Sequence, residues 1–507
     1  MTRQLDVLFV NPRSSTEVYQ ELAKRFTAIE VPVWSLLLAK SVQSIGFGAE
    51  ILDCEAEHLS DIDAVMRIYY SNPRLIVFVV YGGNPNAGSA NMVGAVRLAA
   101  KLRKAYPHFK IAFIGSHTSA LPREVLAYDF VDFVFYNEGV YGLQELLATD
   151  LENGLTSVNS LGFKQDGVPQ LNTKASVVPS DRMDIDLPGY AWELLPYKNK
   201  RFDLYRSHNW HANFIESTRS PAAAIYTSLS CPYQCEFCVI NIVSRTNSSE
   251  GTTSAQSNTM RFWSPSFVLK QLEQLAKYGI STLRFDDEMF YLNKNYYEPL
   301  LKGIIEQGLK FNIWAYTRIN SVKKEFLELF KNAGVNWLAA GIESSSQTIR
   351  KEVTKGYFKD VDIRNVVKEI QDHGISVVGN FIYGLTGDKH ETMQETLDLA
   401  LELCTEHYNA YGAMALPGSP LYYLAKNKGY PLPASFEGWS FHSYECVPLP
   451  TDYLTAAEVL KFRDEAWQKY FTYEPYLALI ERKFGAEARK NIGEMAKIKL
   501  RRKLLGD

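Results

Sequence analysis

Cys231-Pro232-Tyr233-Gln234-Cys235-Glu236-Phe237-Cys238 follows directly on the apolar run Ala222 to Leu229. Three of the chain's six cysteines fall in this stretch, so they are expected to share one ligand. Thiolates are soft ligands suited to iron–sulfur clusters, and a four-iron cluster held by three cysteines keeps one iron open. Two plainer readings stand beside it: a structural zinc site, or cysteines acting as small core residues. No fourth ligand lies at compact zinc spacing, because His208 and His211 precede the stretch and Cys404 and Cys446 lie far downstream.

Downstream, short apolar strands end in polar residues and alternate with helical segments. Ala222 to Ser228 is the first strand. Thr282 to Phe285 precedes Asp286-Asp287-Glu288, Phe311 to Ala315 precedes Tyr316-Thr317-Arg318, Trp337 to Ala340 precedes Gly341-Ile342-Glu343, and Ser376 to Phe381 precedes Tyr383-Gly384. Helices are predicted over Pro265–Lys277, Tyr296–Gln307, Lys323–Ala333 and Val361–Asp372. Polar strand ends flanked by helices place chemistry on one face of a β/α barrel. A partial barrel is therefore expected over roughly residues 220–420.

Upstream, residues 1–147 alternate strands (Leu5–Val10, Glu50–Asp53, Leu75–Tyr81, Lys110–Gly115, Phe130–Tyr136) with helices (Trp34–Ile45, Met92–Ala105, Pro122–Ala127, Val140–Leu147). This is a parallel, Rossmann-like α/β pattern, in which ligands bind beyond the carboxyl ends of the strands. The candidate loops carry Asn11, Gly82 and Gly83, then Ser116, His117 and Thr118, and finally Glu138 and Gly139. Glycines allow close backbone approach and hydroxyls bond phosphate or amide groups. No GxGxxG fingerprint follows the first strand, which weakens a dinucleotide reading. Residues 148–220 read as a linker with a hairpin at Asp166-Gly167. His208, Trp210, His211 and Phe214 are expected to pack at an interface or to approach a substrate.

The cysteine stretch, its strand and the strand ends that follow closely resemble the radical S-adenosylmethionine (SAM) enzymes. The N-terminal loops resemble the cobalamin-binding domain of the B12-dependent subfamily: GSHTSALPREVL is similar to its Gly-Gly-x-His segment and YNEGVYGLQELL to its Gly-Glu-Gly-Glu turn. Ser116, Asn137 and Val140 depart from those patterns, and the Asp-x-His-x-x-Gly cobalt-ligand signature is absent. The resemblance implies a [4Fe-4S] cluster on Cys231, Cys235 and Cys238, with SAM on its fourth iron. It places Asp286, Asp287, Glu288, Arg318, Glu343, Asn380 and Thr386 around SAM. AAGIESSSQTIRKEVTKG resembles the segment whose glutamate contacts SAM, and GAMALPGSPLYYLAKNKG resembles the last strand and its turn. Cobalamin is the expected ligand of the N-terminal loops, with an empty domain or another nucleotide-like ligand as alternatives; His117 is a contact or a local packing residue.

The implied activity is C-methylation of an unactivated carbon in a small molecule, one SAM giving the 5′-deoxyadenosyl radical and another methylating cobalamin. Oxidation, cyclisation or ring rearrangement without net methylation is the alternative, and a cobalamin-binding regulatory protein the non-enzymatic one. An external donor such as flavodoxin or ferredoxin is implied.

With 507 residues, 46% hydrophobic and 13% aromatic, the chain reads as a folded protein of two or three domains. A net charge of −3 gives no global pull toward nucleic acid. The first residues lack a secretory pattern and no apolar run reaches the ~20 residues of a membrane span, so a cytoplasmic protein is expected. Boundaries are expected at 1–147, 148–220, 221–430 and 431–507. The last region is mostly helical, GWSFHSYECV is a candidate lid, and the basic tail Lys497–Lys503 is expected to be a solvated helix face.

Overall fold

The computed structural model describes residues 5–507 apart from 258, 355, 357 and 359, so one position of the segment around Glu343, residue 355, lies outside the described residues. Two sheets stand in sequence, the first mixed and the second all parallel. The first contains β1 (Val7–Asn11), β2 (Ala49–Asp53), β3 (Leu75–Val80), β4 (Lys110–Gly115) and β5 (Phe133–Phe135), continued by the antiparallel hairpin β6 (Leu161–Gln165) and β7 (Val168–Leu171). The spatial order is β2-β1-β3-β4-β5-β6-β7. The hairpin therefore belongs to the N-terminal sheet rather than lying free between domains. Its turn residues Asp166 and Gly167 both have positive φ, 51° and 78°, which matches the right-handed twist of the strands they join. Because β2 lies on one side of β1 and β3 on the other, the connections diverge at β1 and β3. That switch point opens a crevice at their carboxyl ends.

The second sheet contains β8 (Ala222–Ile225), β11 (Thr282–Phe285), β12 (Asn312–Arg318), β13 (Val335–Glu343), β14 (Ser376–Tyr383) and β15 (His407–Gly412), all parallel, in the order β15-β14-β13-β12-β11-β8. A two-stranded ribbon, β9 (Ser228–Leu229) with β10 (Arg261–Phe262), closes the long excursion that holds the cysteines. Helices cover the outside of this curled half-barrel, as the amphipathic segments predict. The helix His390–Leu403 between β14 and β15 and the helix Asp61–Ser71 before β3 were not read from the sequence. The last strand ends at Gly412, so GAMALPGSPLYYLAKNKG starts on its final residue and runs on into the helix Pro420–Lys428.

Alternation along the strands sorts side chains between the lumen and the helices. Register pairs Arg284 with Trp314, Trp314 with Trp337, Arg318 with Gly341, Gly341 with Asn380 and Asn380 with Asn409, giving layers across the lumen. The amino-terminal end is stoppered by Trp210, whose ring lies 4.4 Å from Trp314, 5.0 Å from Trp337 and 5.3 Å from His407. His211 fixes this plug: its ring nitrogen bonds the Asn312 carbonyl at 3.0 Å, and the Asn312 amide returns a bond to the His211 carbonyl at 2.8 Å. Trp210 and His211 thus pack at an interface, while His208 turns to Glu30 at 3.4 Å.

The C-terminal helices are Ala456–Phe471, Glu474–Phe484 and Ala486–Ala496. In the basic tail Lys497, Lys499, Arg501 and Lys503 are exposed as expected, but they follow the last α-helix, which ends at Ala496, and Arg502 is a correction to the sequence reading. Arg502 is only 1% exposed; it forks onto Asp464 at 2.7 and 2.8 Å and donates to the carbonyls of Ser443 and Phe441 at 2.8 and 2.9 Å. Spacing within a charge run cannot reveal a buried acceptor supplied by a distant loop. The tail thereby holds the segment 439–446 against the half-barrel, where the Phe441 ring lies 5.0 Å from Tyr411 and His442 lies 5.3 Å from Tyr19. Arg502→Ala is expected to cost about 2–3 kcal/mol and to speed amide exchange across 439–446, since charged hydrogen bonds of this kind each contribute about 1.5–3 kcal/mol. Unchanged exchange there would show that the tail does not hold the segment.

Candidate active site

The cysteine loop has no regular structure of its own, so its shape comes from bonds to neighbours. The Cys231 N–H donates to Asn241 Oδ1 at 2.8 Å and the Asn241 amide donates back to the Cys231 carbonyl at 2.7 Å. Glu236 is pinned on both sides, its N–H to Val353 at 2.9 Å and its carbonyl from Leu421 at 3.0 Å. Ser254 Oγ donates to the Cys238 carbonyl. Ser230, immediately before the loop, has φ 72°, a conformation that strains a residue with a side chain and is kept only where surroundings fix it.

All three cysteines are free thiols. Burial pushes Cys231 up to about 12 and Cys235 up to about 11, and pushes Cys238 upward too. Left alone they stay protonated; a bound metal centre is what would hold them as thiolates. As thiolates the three would be soft, singly charged ligands, the chemistry that suits an iron–sulfur cluster, although among the described residues no three such side chains are drawn close enough to hold a metal ion.

Arg318, at the end of β12, lies beside this loop. Its guanidinium stacks over the Tyr233 ring at 4.2 Å and the Phe358 ring at 4.9 Å, while Nη1 and Nη2 are buried without a hydrogen-bond partner. A buried fork with two orphaned terminal nitrogens has the shape and charge to accept a carboxylate. Glu343 ends β13 at a register shift and has φ 67°; burial, opposed by Arg318, pushes its carboxyl up to about 7. Asn380 is already engaged, its Oδ1 accepting from Asn409 at 2.9 Å and from the Tyr411 hydroxyl at 3.3 Å. Thr386 presents its carbonyl to the Asp452 N–H at 3.0 Å. The loop before it is shaped by Asp388, which the sequence reading missed and which accepts from the N–H groups of Gly384 and Leu385 at 3.0 Å each.

The acidic run divides into three roles. Asp287 accepts from the Thr227 N–H and hydroxyl, both at 2.7 Å, and from the Ser228 hydroxyl at 2.5 Å, so it braces the strand that carries the cysteines. Asp286 pairs with Arg284 Nε at 2.6 Å. Glu288 faces the N-terminal domain and accepts from the Asn84 amide at 3.2 Å. Arg284 itself is stacked against Trp314 and Tyr316, pairs with Glu30 and donates to the Gly83 carbonyl at 2.8 Å. A lone charge inside the strand TLRF was the signal that could have found it, because arginine is rarely buried unpaired. Nothing in the sequence points to Glu30; burial raises it, but Arg284 and His208 together bring it down to about 2.

The N-terminal loops meet this end of the half-barrel. Gly82 has φ 68°, and a Cβ there would lie 2.6 Å from the Asn91 amide. At Gly83 an added Cβ would strike the Glu30 carboxylate. Thr118 is fully buried and its hydroxyl has no partner, which fits a polar ligand group at this loop. The other predicted contacts make bonds within the protein. The Asn11 amide donates to Asp53 at 2.7 Å, and Ser116 Oγ donates to the Pro85 carbonyl at 2.5 Å. His117 is 1% exposed, bonded through Nδ1 to Ser89 at 3.0 Å and packed edge-on against Phe436 and Trp439, while its buried Nε2 has no hydrogen-bond partner, so the packing and the contact readings both stand. Glu138 pairs with Arg261 at 2.7 Å across the two domains and accepts the Val178 N–H at 2.5 Å; Gly139 follows it with φ 70°.

Glu288 is pushed up to about 8, mainly by burial and then by Asp286, and Asp286 is likewise pushed up to about 8 by burial against the pull of Arg284. The folded chain therefore keeps protons that the unfolded chain has already released. Stability falls as pH rises through this window. The buried His211, His407 and His442 act in the opposite sense, but only below their ordinary value of 6.5. Between pH 6.5 and 8 the ligand-free chain is expected to lose about 1–3 kcal/mol, a shift of one pH unit per group being worth about 1.4 kcal/mol. Chemical denaturation at the two pH values measures it, and Glu288→Gln is expected to flatten the slope.

Residues 225–400 match the radical SAM superfamily, so the half-barrel and its cysteine loop form a radical SAM domain. The whole chain then has solved counterparts in fold. It superposes on TsrM, the radical SAM methyltransferase from Kitasatospora setae with tryptophan and a SAM analogue bound, at a TM-score of 0.66 over 98% of this chain and 99% of that one, with 14% identity. OxsB, a cobalamin-dependent SAM radical enzyme with aqua-cobalamin and SAM bound, gives 0.67 over 98% and 72%, also at 14% identity. In sequence, an uncharacterized methyltransferase of Pyrococcus horikoshii is 23% identical over 434 residues, covering 83% of this chain and 84% of its own. The anaerobic magnesium-protoporphyrin IX monomethyl ester cyclase of Synechocystis is 21% identical over 388 residues, covering 74% and 68%. Among the described residues no helix is long and apolar enough to cross a membrane.

Proposed function

We propose that this chain is a cobalamin-dependent radical SAM C-methyltransferase acting on an unactivated carbon of a small-molecule biosynthetic intermediate. The observation that carries the reading is the Arg318 guanidinium, without a hydrogen-bond partner at either terminal nitrogen, stacked beside the half-buried three-cysteine loop, at the end of the half-barrel where Asn86 of the N-terminal sheet reaches Cys238. In this reading Cys231, Cys235 and Cys238 hold a [4Fe-4S] cluster, Arg318 takes the SAM carboxylate and Glu343 accepts the ribose hydroxyls. Gly82, Gly83 and Thr118 border cobalamin. The cluster, when bound and reduced by a flavodoxin or ferredoxin, supplies the electron that cleaves SAM to a 5′-deoxyadenosyl radical, and cobalamin supplies a methyl carrier.

The chain's own task is positioning and exclusion. The Trp210 plug closes the far end of the lumen, and Phe441 and His442 pack at its side, which supports a role for these rings in limiting access to the lumen. Residues 1–147 with the hairpin of 148–220 act as the cobalamin unit, 221–430 as the radical unit and 431–507 as the cap. Relatives carrying the methyltransferase name, including the Streptomyces wedmorensis cytidylyl-2-hydroxyethylphosphonate methyltransferase at 24% identity over 452 residues, support the methyl-transfer reading. The Synechocystis cyclase favours the second reading, a radical oxidation or cyclisation without net methylation. Anaerobic turnover of candidate substrates with methyl-labelled SAM separates them. Label in the product together with 5′-deoxyadenosine supports methylation; 5′-deoxyadenosine with unlabelled, altered product supports the second reading.

A further inference from the structure

The loop Gly82–Asn86 comes from the N-terminal domain, yet its last residue reaches the cysteine loop. Asn86 Oδ1 accepts the Val239 N–H at 2.9 Å, and Asn86 Nδ2 lies 3.9 Å from Cys238 Sγ in donor geometry. The orientation of the amide is fixed by chemistry. A backbone N–H can only be met by the oxygen, which leaves the NH₂ group toward the sulfur. The loop is also held rigidly at both ends: the Asn84 side chain accepts the Asn86 N–H at 2.9 Å and bonds Glu288, Arg284 holds the Gly83 carbonyl, and Ser116 holds the Pro85 carbonyl. A side chain that two domains position together is poorly explained as loop filling.

We propose that Asn86 donates an N–H to the Cys238 sulfur when that sulfur is a cluster ligand, and thereby sets the reduction potential of the cluster from the cobalamin-side domain. This rests on the cluster assignment made above. A hydrogen bond to a ligand sulfur withdraws negative charge from it and favours the reduced, more negative cluster. Asn86 is a positioning and tuning residue; it makes no bond to iron. The consequence is that the domain expected to hold cobalamin also determines how readily the neighbouring cluster accepts its electron.

The test compares the full chain, anaerobically reconstituted with iron and sulfide, with Asn86→Leu and Asn86→Asp. Iron and sulfide content are measured, and the midpoint potential is read by EPR-monitored redox titration. Asn86→Leu removes both bonds. Asn86→Asp keeps an acceptor for the Val239 N–H but sets a carboxylate oxygen against the sulfur, so a merely structural role would be restored by it. With cluster content unchanged, the potential is expected to fall in both variants, and further in Asn86→Asp. The expected size is about tenfold in the reduction equilibrium, about 59 mV for a one-electron couple. Equal potentials in all three proteins overturn the proposal, as does loss of iron in both variants, which would make Asn86 a brace of the loop. A parent chain that assembles no cluster fails the proposed function itself, and is told apart because the variants are compared with the parent's own potential.

Discussion

Arg261→Met is expected to destabilise the chain by about 3–5 kcal/mol, the cost of leaving a buried charge without its partner. The Glu138 carboxylate is fully buried, and Arg261 meets both of its oxygens while also donating to the Val178 carbonyl at 2.7 Å and to Ser244 at 3.1 Å. Methionine keeps the volume and removes every one of these bonds. Urea denaturation of the ligand-free chain measures the loss. Adding Glu138→Leu to the variant is expected to recover part of the stability, because removing both charges is cheaper than stranding one. A single variant as stable as the parent would show that this pair does not join the domains.

Arg318→Met is expected to weaken SAM binding by about 10- to 100-fold at unchanged iron content, since a hydrogen bond to a charged group contributes about 1.5–3 kcal/mol. Its two terminal nitrogens have no protein partner, so the fold itself gains little from them. Lysine, a point charge without the fork, is expected to fall between the two. Equilibrium dialysis of SAM against reconstituted protein reads the affinity. Parent-like binding by Arg318→Met would remove this residue from the proposed SAM site.

These two arginines illustrate what was and was not legible in the chain. Arg318 stood out because it ends a strand in a series of polar strand ends, a local pattern. Arg261 lies among unpatterned residues, and its partner Glu138 is 123 positions away. Glu138 was read as a ligand contact from its loop, and the loop is indeed at the carboxyl end of a strand; only the tertiary approach of Arg261 turns that carboxylate into an interdomain link. His117 is similar. Its loop position was correct, while its direction depends on Ser89 and on Phe436 and Trp439, which arrive from another helix and from the C-terminal region.

The sequence by itself determined the α/β class, most strands of both sheets, the partial barrel and the three-cysteine loop, because each rests on short-range periodicity or spacing; the last strand, His407–Gly412, lies ahead of the segment expected to hold it. Tertiary structure alone decided what those cysteines are held by. Asn241, Val353 and Leu421 fix the backbone of the loop, Arg318 comes to lie beside it, and Asn86 crosses from the other domain to its third sulfur. Hydrogen bonds and ion pairs between distant segments follow from how the sheets dock, and no local pattern encodes that docking.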